Sequence, residues 1–159
     1  MKRTTDTRAQ YQLAMDEEGI LLAAASILER RLLREGSLAS PNAAAAYLQS
    51  RCAALSHEVF GAVFLDTQHR IIATEHLFTG TVDGCEVHPR VVAQRALHHN
   101  AAALVLFHNH PSGNAEPSSA DRAITRRLKE ALGLLDIRVL DHLVIGGLSH
   151  TSMAARGWV

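Results

Sequence analysis

Residues 103–121 read Ala103-Leu104-Val105-Leu106-Phe107-His108-Asn109-His110-Pro111-Ser112-Gly113-Asn114-Ala115-Glu116-Pro117-Ser118-Ser119-Ala120-Asp121. The run from Ala103 to Phe107 is uniformly apolar, the pattern of a short strand buried on both faces. His108 to Pro117 is polar and carries Pro111, Gly113, Asn114 and Pro117, residues that turn a chain. Ser118 then opens a helix to Leu132, with Asp121 in its first turn; a serine cap followed three residues later by an acid is what a helix start favours. Downstream, Ile137–Leu140 and Leu143–Ile145 read as closing strands, and the tail from Ser149 as a last short one. Upstream, Glu58–Leu65 and Arg70–His76 are β-rich runs joined by a turn at Asp66-Thr67-Gln68-His69. Phe78 to Glu86 is a glycine-marked loop with a strand-like patch, and Pro89 starts a helix ending near His99 or Asn100. Strands and helices interleave, so the fold class is α/β (α+β) around one mixed sheet.

In a strand, residues two apart point to the same side, so His108 and His110 can present both imidazoles to one ion. Pro111 and Gly113 turn the chain away, and the helix from Ser118 can bring Asp121 back over them. Two imidazoles and one carboxylate, with water in the fourth position, make an open catalytic zinc site. Other divalent metals accept these ligands, but zinc suits the set better. His108, His110 and Asp121 are therefore the expected ligands of one Zn2+ per chain. Zinc lowers the pKa of its water to near neutrality, and a nearby carboxylate can take that proton and pass it to a leaving group. Glu58 is the candidate base, because it leads into an apolar strand where a charge is costly unless offset. It also reads evenly as a surface residue beside His57. Glu75, Glu86 and Glu116 compete: Glu86 and Glu116 fall in loops, and Glu75 sits at the far end of its strand. Ser118 could donate a hydrogen bond to an oxyanion formed on a carbonyl carbon. Its role as a helix cap can hold at the same time.

Residues 1–40 read as an N-terminal helical arm and 41–159 as the domain carrying the site. From Asp6 to Glu35, Leu13, Ile20, Leu21, Ala24, Ile27, Leu28 and Leu32 are spaced for one helical face. Gly36 suits a left-handed helix end. The arm is expected to pack on the body or on a second copy, the latter of which would give a homodimer. Ser40-Pro41 opens a second helix that runs through the alanines to about Leu55. With 47% apolar and 20% charged residues in a 159-residue chain, the composition is that of one soluble globular domain. Lys plus Arg and Asp plus Glu are 16 each, which removes the argument for nucleic acid from a globally basic surface. Cys52 and Cys85 form no paired motif and read as small buried apolar residues. Of the ten histidines, the adjacent His98 and His99 read as surface side chains. The charged start lacks an apolar core behind it, and no apolar run could span a bilayer. The expectation is a cytoplasmic protein with no membrane partner.

His-x-His-Pro followed by Pro-Ser-x-x-Asp resembles the JAB/JAMM (MPN-domain) metallopeptidase motif, without gaps from His110 to Asp121. His108-Asn109-His110-Pro111-Ser112-Gly113 is similar to the bacterial RadC family in particular, as are Phe78-Thr79-Gly80-Thr81, Val87-His88-Pro89-Arg90 and Asp141-His142 before an apolar strand. The resemblance covers about Ser40 to Val159. It implies a cytidine-deaminase-like fold with a mixed, curved sheet flanked by helices. It also implies zinc on His108, His110 and Asp121, Ser118 supporting the reacting carbonyl, and Glu58 as the upstream glutamate. Longer RadC proteins carry an N-terminal helix-hairpin-helix region expected to contact DNA. Residues 1–40 lack its Gly-rich pattern, so the chain is similar to the short stand-alone RadC-like proteins.

These readings converge on a zinc-dependent hydrolase of the metallopeptidase or isopeptidase type, acting on a peptide or isopeptide bond. A role in DNA repair is implied only by the RadC resemblance, and nucleic acid is left open as a partner. The alternative is a non-catalytic JAB/MPN scaffold or binding module in DNA metabolism, against which the complete ligand set weighs. A nucleobase deaminase would need His-x-Glu and Pro-Cys-x-x-Cys, and neither occurs.

Overall fold

The apolar run at 103–107 lies at the centre of a five-stranded sheet. The computed structural model describes residues 17–35, 38, 40–80 and 85–159, with the side chains of 31–35 outside that description. Among the described residues the elements are α1 (Glu17–Glu35), α2 (Pro41–Cys52), β1 (Val59–Leu65), β2 (Ile71–Thr79), α3 (Pro89–His98), β3 (Ala103–Asn109), α4 (Ser119–Gly133), β4 (Arg138–Gly146) and β5 (Ser149–Ser152). The sheet order is β2-β1-β3-β4-β5. Only the β3–β4 pair is parallel, with α4 as its crossover, so the sheet is mixed. This is the α+β architecture expected.

Alternation along β3 sorts the core into two layers. Val105 and Phe107 join Tyr47, Leu48, Val63, Leu143 and Ile145 under α2. Leu104 and Leu106 join Phe64, Val92, Ala96, Leu128 and Leu132 under α3 and α4. Each large side chain so buried contributes ~1.5–3 kcal/mol. His108 continues the Leu104–Leu106 face, and this directs it toward α4.

Local chemistry fixes the element ends. Ser40 accepts from the Ala43 N–H at 3.2 Å, with Pro41 in the first turn of α2. Asp66 ties the β1–β2 turn by accepting from the Gln68 and Arg70 N–H groups, at 2.8 and 2.9 Å. Ser118 and Asp121 form a reciprocal capping box at the start of α4.

Several expectations need correction. β2 runs on to Thr79 because Phe78 and Thr79 pair with Phe60 and Val59 across a bulge, so the loop expected from Phe78 begins later. β3 continues through His108 and Asn109, both buried, so the loop expected from His108 begins after them. The two closing strands are one continuous strand, β4, with Asp141 and His142 buried inside it. A polar pair is tolerated there because each is bonded: Asp141 accepts from the N–H groups of His142 and Ala154 and from the Ser152 hydroxyl. α2 stops at Cys52. Among the described side chains of α1 Ala25 is buried, while Ile20 and Ile27 of the expected stripe are exposed; Leu28 packs on the α2 side of the core. His99 is half-buried, bonded to Glu75 and packed on Phe64. Cys52 is buried, with its thiol pushed up to about 12 by that burial, whereas Cys85 is only partly covered. The expectations at Asp6–Asp16, Gly36 and Thr81 lie outside the described residues.

Gly146 and Gly113 seat the loop that follows β3. Gly113 holds φ +84°, open to glycine at little cost. A side chain on Gly146 would collide with the backbone of Ala115 and Asn114, which cannot swing aside. Gly146→Ala is therefore expected to destabilise the domain by about 1–3 kcal/mol through overpacking. Denaturant titration checks this; an unchanged midpoint would mean that the loop moves freely.

Candidate metal centre

The site forms where the C-terminal end of β3 meets the N-terminus of α4. His108 lies in the strand and is 1% exposed; His110 follows it, its backbone N–H bonded to the Ile145 carbonyl at 2.8 Å. The two Nε2 atoms face each other at 2.9 Å. Asp121 closes the group from the third position of α4, with Oδ1 3.2 Å from His108 Nε2 and Oδ2 3.5 Å from His110 Nε2. One donor atom from each residue lies within 4.8 Å of the others, close enough to hold one metal ion.

The chemistry of this donor set fits a cation. His110 donates Nδ1–H to the Asn114 carbonyl at 2.8 Å, so its neutral ring presents a bare Nε2 to the group. Carboxylate oxygens and imidazole lone pairs converging at these distances repel unless positive charge lies between them. In the absence of a metal, a proton serves. The hydrogen bond to Asp121 raises the His110 pKa against the opposing effect of burial, with help from Asn114, Asp121 and Glu58. Burial pushes the Asp121 carboxyl up, but the His108 and His110 rings and the Ser118 N–H outweigh it and hold the carboxyl below its ordinary range. A proton and a metal ion would occupy the same pocket.

Glu58 immediately precedes β1 and is half-buried. Its backbone is pinned on three sides. The Glu58 carbonyl accepts from the Gly80 N–H at 2.8 Å; Asn109 accepts from the Val59 N–H at 2.8 Å and donates to the His57 carbonyl at 3.0 Å. Burial raises the Glu58 carboxyl, His108 and His110 pull it back, Asp121 pushes it up again, and the net direction is up. The side chain therefore feels the charges of all three clustered residues. Its competitors are engaged elsewhere. Glu75 bonds Arg95 and His99, Glu116 bonds Arg156 through both oxygens, and Glu86 is exposed beside His88.

Ser118 accepts from the Asp121 N–H at 3.1 Å, while its own N–H donates to Asp121 Oδ2 at 2.7 Å. Capping uses a lone pair of the hydroxyl and leaves its hydrogen free to donate. Two residues that sequence reasoning missed complete the surroundings. His142 Nε2 lies 2.7 Å from His108 Nδ1, and Thr125 Oγ1 lies 2.5 Å from His142 Nδ1. Signals for both were present: a polar pair inside an apolar run, and a threonine one helical turn beyond Asp121.

The sequence matches the RadC-like JAB domain over residues 38–158. It is 56% identical over 143 residues to the UPF0758 protein of Xanthomonas campestris pv. campestris (strain 8004), covering 87% of this chain and 64% of that protein. It is 58% identical over 132 residues to the UPF0758 protein of Azotobacter vinelandii, covering 83% of this chain and 59% of that protein. The corresponding protein of Stutzerimonas stutzeri is 54% identical over 132 residues, with the same coverage of 83% and 59%. The chain spans roughly three-fifths of the length of these relatives. With most of its length matched to one domain model and identities of 56% and 58% over the aligned stretches of such relatives, the chain belongs to the RadC-like JAB domain family.

Proposed function

We propose that this domain is a zinc-dependent hydrolase that cleaves an amide bond of a peptide or isopeptide. The observation that carries the reading is the convergence of His108, His110 and Asp121 on one point, with Glu58 in electrostatic reach of all three. Zinc held by the two Nε2 atoms and an Asp121 oxygen would supply a Lewis acid and a water of near-neutral pKa. Glu58 takes a proton at its carboxylate and returns it to the leaving amine. The Ser118 hydroxyl donates to the oxygen of the reacting carbonyl. Asn109 holds the backbone on both sides of Glu58, so that the base cannot drift. No described helix is long and apolar enough to cross a membrane. Two unpaired cysteines fit a reducing cytoplasmic setting.

A screen of zinc-loaded protein against peptide and isopeptide substrates tests the reading, with chelated protein alongside. Hydrolysis that chelation abolishes and zinc restores is the expected result. A folded protein that takes up no zinc would overturn it in favour of a binding module.

The competition between proton and metal gives a separate expectation. The folded pKa of His110 lies above its ordinary 6.5, so the proton is bound below that raised value and lost above it. Zinc affinity should fall about tenfold per pH unit below the raised pKa, because each ion bound displaces one proton. Calorimetry in buffers of different ionisation enthalpy reads the released proton directly; a pH-independent affinity would contradict the geometry.

A further inference from the structure

We propose that His142 and Thr125 set the tautomer of His108, forcing its proton onto Nδ1 so that a bare Nε2 faces the metal pocket. They act through His108 and are positioning residues. The assignment follows from the one group in the chain whose role is fixed. The Asp121 backbone carbonyl can only accept, and Thr125 Oγ1 lies 2.6 Å from it. Two oxygens that close need a hydrogen between them, so the Thr125 hydroxyl donates to that carbonyl. Met153 Sδ, at 3.7 Å from the same hydroxyl, is too weak an acceptor to compete. Having spent its one hydrogen, Thr125 Oγ1 must accept at its 2.5 Å contact with His142 Nδ1. His142 therefore carries its proton on Nδ1.

The next step depends on the charge of His142. Its ring is wholly buried and its two nitrogens meet only Thr125 and His108, so no carboxylate stands against it to hold an imidazolium out of water. A neutral ring with hydrogen on Nδ1 has a lone pair on Nε2. Across 2.7 Å that lone pair meets His108 Nδ1, which must supply the hydrogen. A neutral His108 ring therefore holds its proton on Nδ1, which leaves Nε2 free toward His110 and Asp121. Free imidazole favours the opposite tautomer, so the fold imposes this one. Exposures of 1% for His108 and 0% for Thr125 and His142 leave no water to reroute the chain of bonds. Phe60 packs on both rings, at 6.2 Å from His108 and 5.4 Å from His142, and limits their rotation.

The chain begins and ends on metal-site residues. It starts at the His108 ring and finishes at the backbone of Asp121, so the helix turn that delivers the carboxylate also decides where the His108 proton resides. This explains why an apolar strand spends a position on His142, and why α4 places a threonine four residues after Asp121. The consequence for zinc rests on the metal reading above, whereas the tautomer itself does not.

The test is imidazole nitrogen NMR on the 15N-labelled full chain after chelation, followed over a pH series so that the neutral form of each ring is read directly. The expected result is a protonated Nδ1 and a bare Nε2 at His108. A His108 ring protonated at Nε2 would overturn the proposal. Thr125→Val keeps the shape of the side chain but removes the hydroxyl; it should release the tautomer preference and weaken zinc binding about 10–100-fold, the usual effect of losing an outer partner of a metal-bound histidine. Thr125→Ser should restore both. If Thr125→Val fails to fold, His142→Gln serves instead: its amide oxygen accepts from His108 and its NH2 donates to Thr125, so the Nδ1–H form and near-normal zinc affinity should persist. Thr125→Val with tautomer and affinity unchanged would sink the proposal. Wild-type protein showing the Nδ1–H form but binding no zinc would support the tautomer assignment and overturn the metal reading alone.

Discussion

Glu58→Gln protein is expected to lose about 10²–10⁴-fold in turnover, the range supplied by a positioned general base, while retaining its zinc. Both halves follow from where Glu58 stands. It is absent from the His108, His110 and Asp121 group that can share one ion, so its loss should not release metal. Its backbone is fixed by Gly80 and Asn109, so the substitution changes only the chemistry at the carboxylate. Stability should move opposite to activity. The folded carboxyl is raised above 4.5, chiefly by burial, so folding disfavours its ionised form and stability is lost as pH rises through the raised value. Glutamine cannot ionise and carries no such cost. Near neutral pH the variant should therefore melt at the same temperature as the wild type or higher. Zinc content by metal analysis, Tm by calorimetry and turnover on the same preparation separate these effects. Turnover within about threefold of wild type would remove Glu58 from the chemistry, since a general base contributes far more than that.

How much of this was legible beforehand depended on how local the determining physics was. The strand, loop and helix from Ala103 to Leu132 are written in short-range terms: an apolar run, turn residues, and a serine–aspartate cap. The three candidate ligands lie within that stretch, and the structure brings their donor atoms together. Glu58 was an even choice on its own residues, because its proximity to the cluster comes from the pairing of Phe60 with His108 across β1 and β3. Asp141-His142 read as a break between strands because burying two polar groups is costly unless both are bonded. Their partners lie far off in sequence: His142 meets His108 across 34 residues and Thr125 across 17. No window along the chain contains that information. The end of β2 failed for the same reason, since Thr79 becomes strand only through its pairing with Val59 past a bulge.

The second large effect is expected at Asp121, where Asp121→Asn should make the protein insensitive to zinc while leaving it folded. Asp121 has three separate duties. Its backbone carbonyl accepts from Thr125, its Oδ2 accepts the Ser118 N–H at 2.7 Å, and its charge faces the two imidazoles. Asparagine keeps the first duty and can meet the second through its amide oxygen, so loss of the whole cap, about 0.5–2 kcal/mol, is an upper limit on the cost to the helix. Only the third duty is removed. For the wild type, zinc at one hundred times its Kd should stabilise the fold by about 2.7 kcal/mol. At about 2–4 °C per kcal/mol for a domain of this size, Tm should rise by about 5–11 °C. In Asp121→Asn that rise should vanish. An acid titration supplies an internal control on the metal-free proteins. The wild-type carboxyl is held below its ordinary 3.8, so the stability drawn from its pairing is present above that value and disappears as pH falls through the depressed one. The stability gap between wild type and variant should therefore narrow in strong acid. His110 should report the same loss from the other side, because the hydrogen bond to Asp121 is the largest contribution raising its pKa, and that pKa should drop in the variant. An equal zinc-induced rise in Tm for both proteins would show that the carboxylate takes no part in holding metal.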